Sequence, residues 1–190
     1  MKSSVIRINR HNKNLNEILD ETQKISACAG LDTKKALRLR LLAEELVGML
    51  KELSGSYQGD FWIEQENLTF ELVTHICLIQ EMDKKTKKGF ISVSSNNKNA
   101  AAKGIMGKVR DVVENMMYPE DVAYSSGYAP YDGGATLSTG WSLKKYKNEH
   151  QNDEISWDEI EKSIIANIAD DVTVAIKGKD VEIVITKNFE

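Results

Sequence analysis

Apolar positions along the chain recur with two periods, and those periods predict its elements. Val5, Ile6 and Ile8 form a short apolar stretch that predicts a first strand, closed by the polar run from Asn9 to Asn14. Leu15, Ile18, Leu19, Thr22 and Ile25 then recur at spacings of three and four, which lines them up on one face of a helix. Asn14, with Glu17 after it, fits the start of that helix, because an Asn side chain accepts from the free amides of a first turn. Gly30 fits its stop. Asp32 opens a second helix, in which Leu37, Leu41, Leu46 and Leu50 stand with Leu39, Leu42, Met49 and Leu53 in a stripe wide enough to face a core, and Gly55 closes it. Phe61 to Glu64 and Leu68 to Cys77 read as a hairpin around Gln65-Glu66-Asn67.

Farther on, Asp83 to Lys88 is a polar, Lys-rich loop, Phe90 to Val93 a short apolar piece, and Ser94 to Asn99 a second loop. A third helix is predicted from Ala100 to Met117, ended by Pro119, with Ile105, Val109, Val112, Val113 and Met116 on its buried face. Residues 118–150 differ in kind. Tyr118, Tyr124, Tyr128, Tyr131, Trp141 and Tyr146 are interleaved with Gly127, Gly133, Gly134 and Gly140, which reads as an insertion with little regular structure before Leu143. Ser156-Trp157-Asp158-Glu159 is a capping box that predicts a fourth helix carrying Ile160, Ile164, Ile165 and Ile168. Val172, Val174 and Ile176 alternate, Gly178-Lys179 turns, and Val181, Ile183 and Ile185 alternate again, which predicts a half-buried closing hairpin ending at Phe189. Strands that come as hairpins between helices favour an α/β two-layer sandwich, with helices on one face of a mixed, largely antiparallel sheet.

A length of 190 residues fits a single domain, residues 1–190, carrying the insertion at 118–150. The net charge of −4 and the absence of a basic stripe argue against nucleic acid as the partner. No run approaches the ~20 apolar residues of a membrane helix, and the N-terminus lacks an apolar signal core, so a cytoplasmic protein away from membranes is expected. Cys28 and Cys77 read as buried, reduced thiols. His11, His75 and His150 are scattered and give no metal-ligand spacing, and neither a Gly-x-Ser-x-Gly elbow nor a Walker A loop occurs.

Candidate chemistry gathers on two helices. Glu44 and Glu45 interrupt the leucine stripe, as a solvated or ion-paired edge with Arg38 and Arg40 near, as a structural or non-catalytic part of a site, or with Glu45 as a general base. Gly104 and Gly107 at a helix start fit either close packing or a phosphate cradle. Lys103, Lys108 and Arg110 beside them are solvated cations or anion ligands. The aromatic set in 118–150 fits a partner or oligomer surface and equally fits packing onto the core.

Four segments in order resemble the GHKL superfamily, the ATP-binding domain of sensor histidine kinases, gyrase, MutL and a heat-shock chaperone, and most of all its small anti-sigma-factor serine kinases. Leu41-Leu42-Ala43-Glu44-Glu45-Leu46-Val47-Gly48-Met49-Leu50 is similar to the N-box helix, Leu-x-x-Glu-Glu-Ala-x-x-Asn. Phe90-Ile91-Ser92-Val93 stands where the family has the segment before its ATP lid. Lys103-Gly104-Ile105-Met106-Gly107-Lys108-Val109-Arg110-Asp111-Val112-Val113-Glu114 resembles the second glycine box. Ala169 to Val174, then Gly178 and Val181 to Lys187, resembles the closing hairpin of the anti-sigma kinases. The resemblance implies Glu45 as general base, and Glu44, Gly48, Met49, Lys103, Gly104, Gly107 and Lys108 along a nucleotide. The chain also departs from the pattern. Gly48 and Met49 stand where the family's Mg²⁺-holding Asn is expected, and no Asp-x-Gly-x-Gly adenine anchor occurs at His75 to Asp83. The expectation is a regulatory, ATPase-like domain acting on a protein partner such as a sigma factor, with ATP binding weak or lost and Mg²⁺ not held in the family manner. An active ATP-dependent protein kinase and a structural homo-oligomer are the alternatives.

Overall fold

The computed structural model describes residues 1–10, 15–53, 56–79, 105–117, 139–149, 163–177 and 179–190. In chain order these form β1 (Ile6–Asn9), α1 (Leu15–Cys28), α2 (Thr33–Glu52), β2 (Ser56–Glu66), β3 (Thr69–Ile79), α3 (Ile105–Met117), β4 (Thr139–Ser142), α4 (Leu143–Glu149), α5 (Ile164–Ile168), β5 (Asp171–Lys177) and β6 (Asp180–Asn188).

The strands make one six-stranded sheet in the order β1-β2-β3-β6-β5-β4. Every pairing among them is antiparallel, which corrects the expectation of a mixed sheet. The pairing that decides this is β3 with β6, Thr69↔Asn188 through Cys77↔Asp180, and it joins segments far apart in sequence. The β2–β3 hairpin is longer than its alternation suggested, and its turn is tighter. Glu66 pairs Thr69 across Asn67 and Leu68, with Asn67 at φ 54°, a left-handed conformation that Asn tolerates.

Burial alternates along the strands. Val172, Val174 and Ile176 of β5 and Val181, Ile183 and Ile185 of β6 are buried while their neighbours face out. Phe61 and Ile63 of β2 and Phe70, Leu72, Thr74 and Ile76 of β3 lie on the same inner face and are fully buried. The apolar sides of the helices close over this face in one core cluster: Ile18 and Ile25 of α1, Leu39, Leu42, Leu46 and Leu50 of α2, Met106, Val109 and Val113 of α3, and Ile165 of α5. Thr22 sits among these residues because its hydroxyl bonds the Ile18 carbonyl one turn back, at 2.7 Å.

Helix ends follow the residues that mark them. Asp32 caps α2 by accepting from the Lys35 amide at 2.8 Å, and Gly30 takes φ +67° after α1. Tyr57 at the start of β2 donates to the Leu50 carbonyl at 3.0 Å and ties α2 to the sheet. In the leucine stripe two positions are corrected: Leu37, 55% exposed, and Leu41, half-buried and no part of the core cluster, lie on the outer side of α2, since the core takes Leu39, Leu42, Leu46 and Leu50.

The last part of the aromatic segment has more regular structure than expected. β4 adds to the sheet through Trp141↔Val174, and Trp141 and Tyr146 pack 5.9 Å apart, both 7% exposed. At these two positions the packing reading holds. Ser163 caps α5 by accepting from the Ala166 amide. The expected loops at 83–88 and 94–99, the apolar piece at 90–93, the capping box at Ser156, the stop at Gly55 and the tyrosines at 118, 124, 128 and 131 lie outside the described residues. Cys28 is exposed and Cys77 half-buried, so neither is the buried thiol expected, although both are free. Among the described residues no helix is long and apolar enough to cross a membrane.

Candidate functional site

The site begins on α2, where the core-facing leucines fix the rotation of the helix and thereby turn Glu44, Glu45, Gly48 and Glu52 away from the sheet. Glu44 is exposed and accepts from Arg40 Nε at 3.0 Å, an i,i+4 pair. Arg40 also reaches Gln23 of α1 at 3.5 Å, which assigns Arg40, and not Arg38, as the partner. Glu45 is half-buried. Burial raises its pKa, and the charges of Glu44 and Glu52 raise it further.

One turn on, the two positions in place of the family's Asn behave differently. Gly48 is half-buried, and a Cβ there would meet nothing within 4 Å. Met49 is 4% exposed and belongs to the core cluster. Neither presents an oxygen, and Mg²⁺ takes oxygen ligands. Among the described residues no cluster of three or more His, Cys, Asp or Glu could hold a metal ion.

Packed against α2 is α3. Its buried residues Val109 and Val113, with Gly107 also buried, leave Lys108 half-buried beside them. Arg110, expected as a solvated cation or anion ligand, is only 3% exposed. Its Nη1 donates to Glu52 Oε2 at 3.0 Å and links the end of α2 to α3. Glu52 is the residue that sequence reasoning missed. The signal was available, because Glu52 follows Glu45 by seven residues and therefore shares its face of the helix.

The structure thus brings Glu44, Glu45, Gly48, Glu52, Gly107, Lys108 and Arg110 onto two packed helices, while Lys103 and Gly104 lie outside the described residues. Two surface cavities found among the described residues lie elsewhere. One is bounded by Met1, Lys2, Glu64 and Glu71, the other by Thr69, Lys144, Asp170 and Lys187. No protein-family model matches the chain, and no curated protein matches it.

Proposed function

We propose that the chain is a regulatory domain of the histidine-kinase-like ATPase type, similar to the anti-sigma-factor kinases, acting in the cytoplasm through a protein partner and with nucleotide binding weak or lost. The observation that carries the second half is the pair Gly48 and Met49. One has no side chain and the other is sunk in the core, so the turn after Glu45 offers no ligand for the metal that accompanies ATP in that family. The first half is supported by element order. A strand, two helices, a hairpin and a helix follow one another, and after a short strand and two short helices comes a closing hairpin, with helices over one face of the sheet in two layers. A sigma factor or another regulatory protein is the partner class this reading names.

Thermal melts with millimolar ATP, with and without Mg²⁺, test it. A ligand at 100 times its dissociation constant adds about 2.7 kcal/mol, a rise of several degrees for a chain of this size. Little or no rise is expected. A large rise that requires Mg²⁺ would overturn the reading. A second arm is size exclusion with candidate sigma factors, where a chain that co-elutes with none of them counts against the partner class.

One observation favours active chemistry as a second reading. Glu45 is held with a raised proton affinity, and a carboxylate tuned upward is a better general base. On that reading Glu45→Gln retains the ATP-dependent rise in melting temperature and loses turnover.

A further inference from the structure

The outer face of the sheet and the N-terminal half of the outer face of α2 carry opposite charges around apolar residues. On the sheet, the registers set Trp62, Val73 and Val184 in one row across β2, β3 and β6. Val5, the residue before Ile6, which pairs Phe61, extends the row at the β1 edge. Val5 is 56% exposed, Trp62 and Val184 are half-buried, and Val73 is buried but no part of the core cluster. On either side of this apolar row the same face carries Asp60, Glu182, Glu64 and Glu71, opposed by Arg7 and Lys2. Lys2 shows what such a surface accepts. Its ammonium lies 4.2 Å from the centre of the Trp62 ring and 3.1 Å from Glu64 Oε1.

On α2, Lys34, Leu37, Arg38 and Leu41 follow at i, i+3, i+4 and i+7, so they share one face, on the side away from the core. Lys34, Leu37 and Arg38 are exposed and Leu41 is half-buried. Neither Lys34 nor Arg38 has an ion pair among the described residues.

We propose that a second copy of this chain docks the N-terminal half of α2 on the outer face of the sheet. Neighbouring rows on one sheet face lie two residues apart, about 6.8 Å, and a helix is about 10–12 Å wide. A helix with Leu37 on the Trp62–Val73–Val184 row therefore carries Lys34 and Arg38 over the flanking carboxylates. The two surfaces look away from each other across the core, so one copy cannot join its own. The association is heterologous, and it grows into a ring or an open string. A membrane is disfavoured as the occupant, because α2 commits its wide apolar face to the core and the chain carries −4 net.

Light scattering or sedimentation of the whole chain over a concentration series tests this. Mass is expected to rise with concentration at low salt and to fall back at high salt, as rim charges are screened. Arg38→Glu and Glu182→Lys, both at exposed positions, are each expected to weaken association by about tenfold or more. Circular dichroism checks that each variant is folded. Mixing the two variants restores it, because each altered surface then meets its complement. A wild-type chain that stays monomeric throughout would overturn the proposal and leave the acidic face to a basic partner of other sequence. Association indifferent to salt and to both reversals would overturn it as well. The ATP melts report on Glu45 and Gly48, which lie farther along this same outward face of α2, in its C-terminal half, and neither charge reversal alters them, so either result leaves the functional reading to be judged on its own.

Discussion

Glu45 carries a proton affinity raised by burial first and by the charges of Glu44 and Glu52 after it. A carboxyl whose folded pKa exceeds its unfolded one costs stability wherever it is ionised in the fold, and that cost disappears as pH falls through the folded pKa. Glu45→Gln is therefore expected to raise the melting temperature at neutral pH. The advantage should close in acid, where Glu45 is neutral too. Paired melts along a pH series check the sign. Thr74 is fully buried in a row with Phe61 and Ile183, and its hydroxyl has no hydrogen-bond partner among the described residues. Thr74→Val keeps the shape and removes the buried hydroxyl, and it is expected to stabilise by about 1 kcal/mol in urea unfolding. Gly59 sits where a Cβ would come within 2.0 Å of the His75 carbonyl oxygen and 2.7 Å of Ile76 Cα. Because both are backbone atoms, Gly59→Ala is expected to cost about 1–3 kcal/mol or more, by the same measurement. None of these three roles was legible in the sequence. Those of Thr74 and Gly59 depend on what lies across the sheet, which a single strand's pattern does not contain, and that of Glu45 depends on how deeply its helix is buried.

Between elements, the join of α2 and α3 rests on the Arg110–Glu52 pair, with Arg110 buried and the Glu52 side chain 44% exposed. Glu52→Ala removes one hydrogen bond to a buried cation, which is worth about 1.5–3 kcal/mol. The exposed partner puts the expected loss at the lower end, and the urea midpoint reports it. Legibility at this scale follows local chemistry. α1, the Asp32 cap and the closing hairpin could be read because caps and strict alternation are local signals. Leu37 was misplaced because it stands four residues before Leu41, and that spacing alone does not say which of two apolar stripes meets the core. In the hairpin of β2 and β3, Trp62 and Val73 hide the alternation, since they are apolar positions on the outward face. Of the site, Glu44, Glu45 and Gly107 fell on the two helices where the motif placed them. The burial of Arg110 and the part played by Glu52 follow from how those helices cross.

For the molecule as a whole, the sheet order sets the last strand, β6, in the middle, between β3 and β5. The C-terminal residues are held by several independent contacts. Lys35 Nζ donates to the Phe189 carbonyl at 3.0 Å, the Phe189 amide donates to the Leu68 carbonyl at 3.0 Å, and the Phe70 and Phe189 rings meet edge to face at 5.7 Å. Burial alone would raise the Asp170 pKa, but the Asn188 amide and the Lys187 ammonium outweigh it and hold it below the ordinary value. That contribution is present at neutral pH and is lost as pH falls through the lowered pKa. Asp170→Asn is accordingly expected to lower the melting temperature at neutral pH and to matter less in acid, the opposite trend to Glu45→Gln in the same melts. The pairing of β3 with β6 also sets an order of events during synthesis. While the chain is being made, the β1–β2–β3 half of the sheet has no neighbour for β3 until residues 180–188 have left the ribosome. From the emergence of residue 79 to that of residue 188, a strand destined for the middle of the sheet is an open edge, available to any other nascent chain.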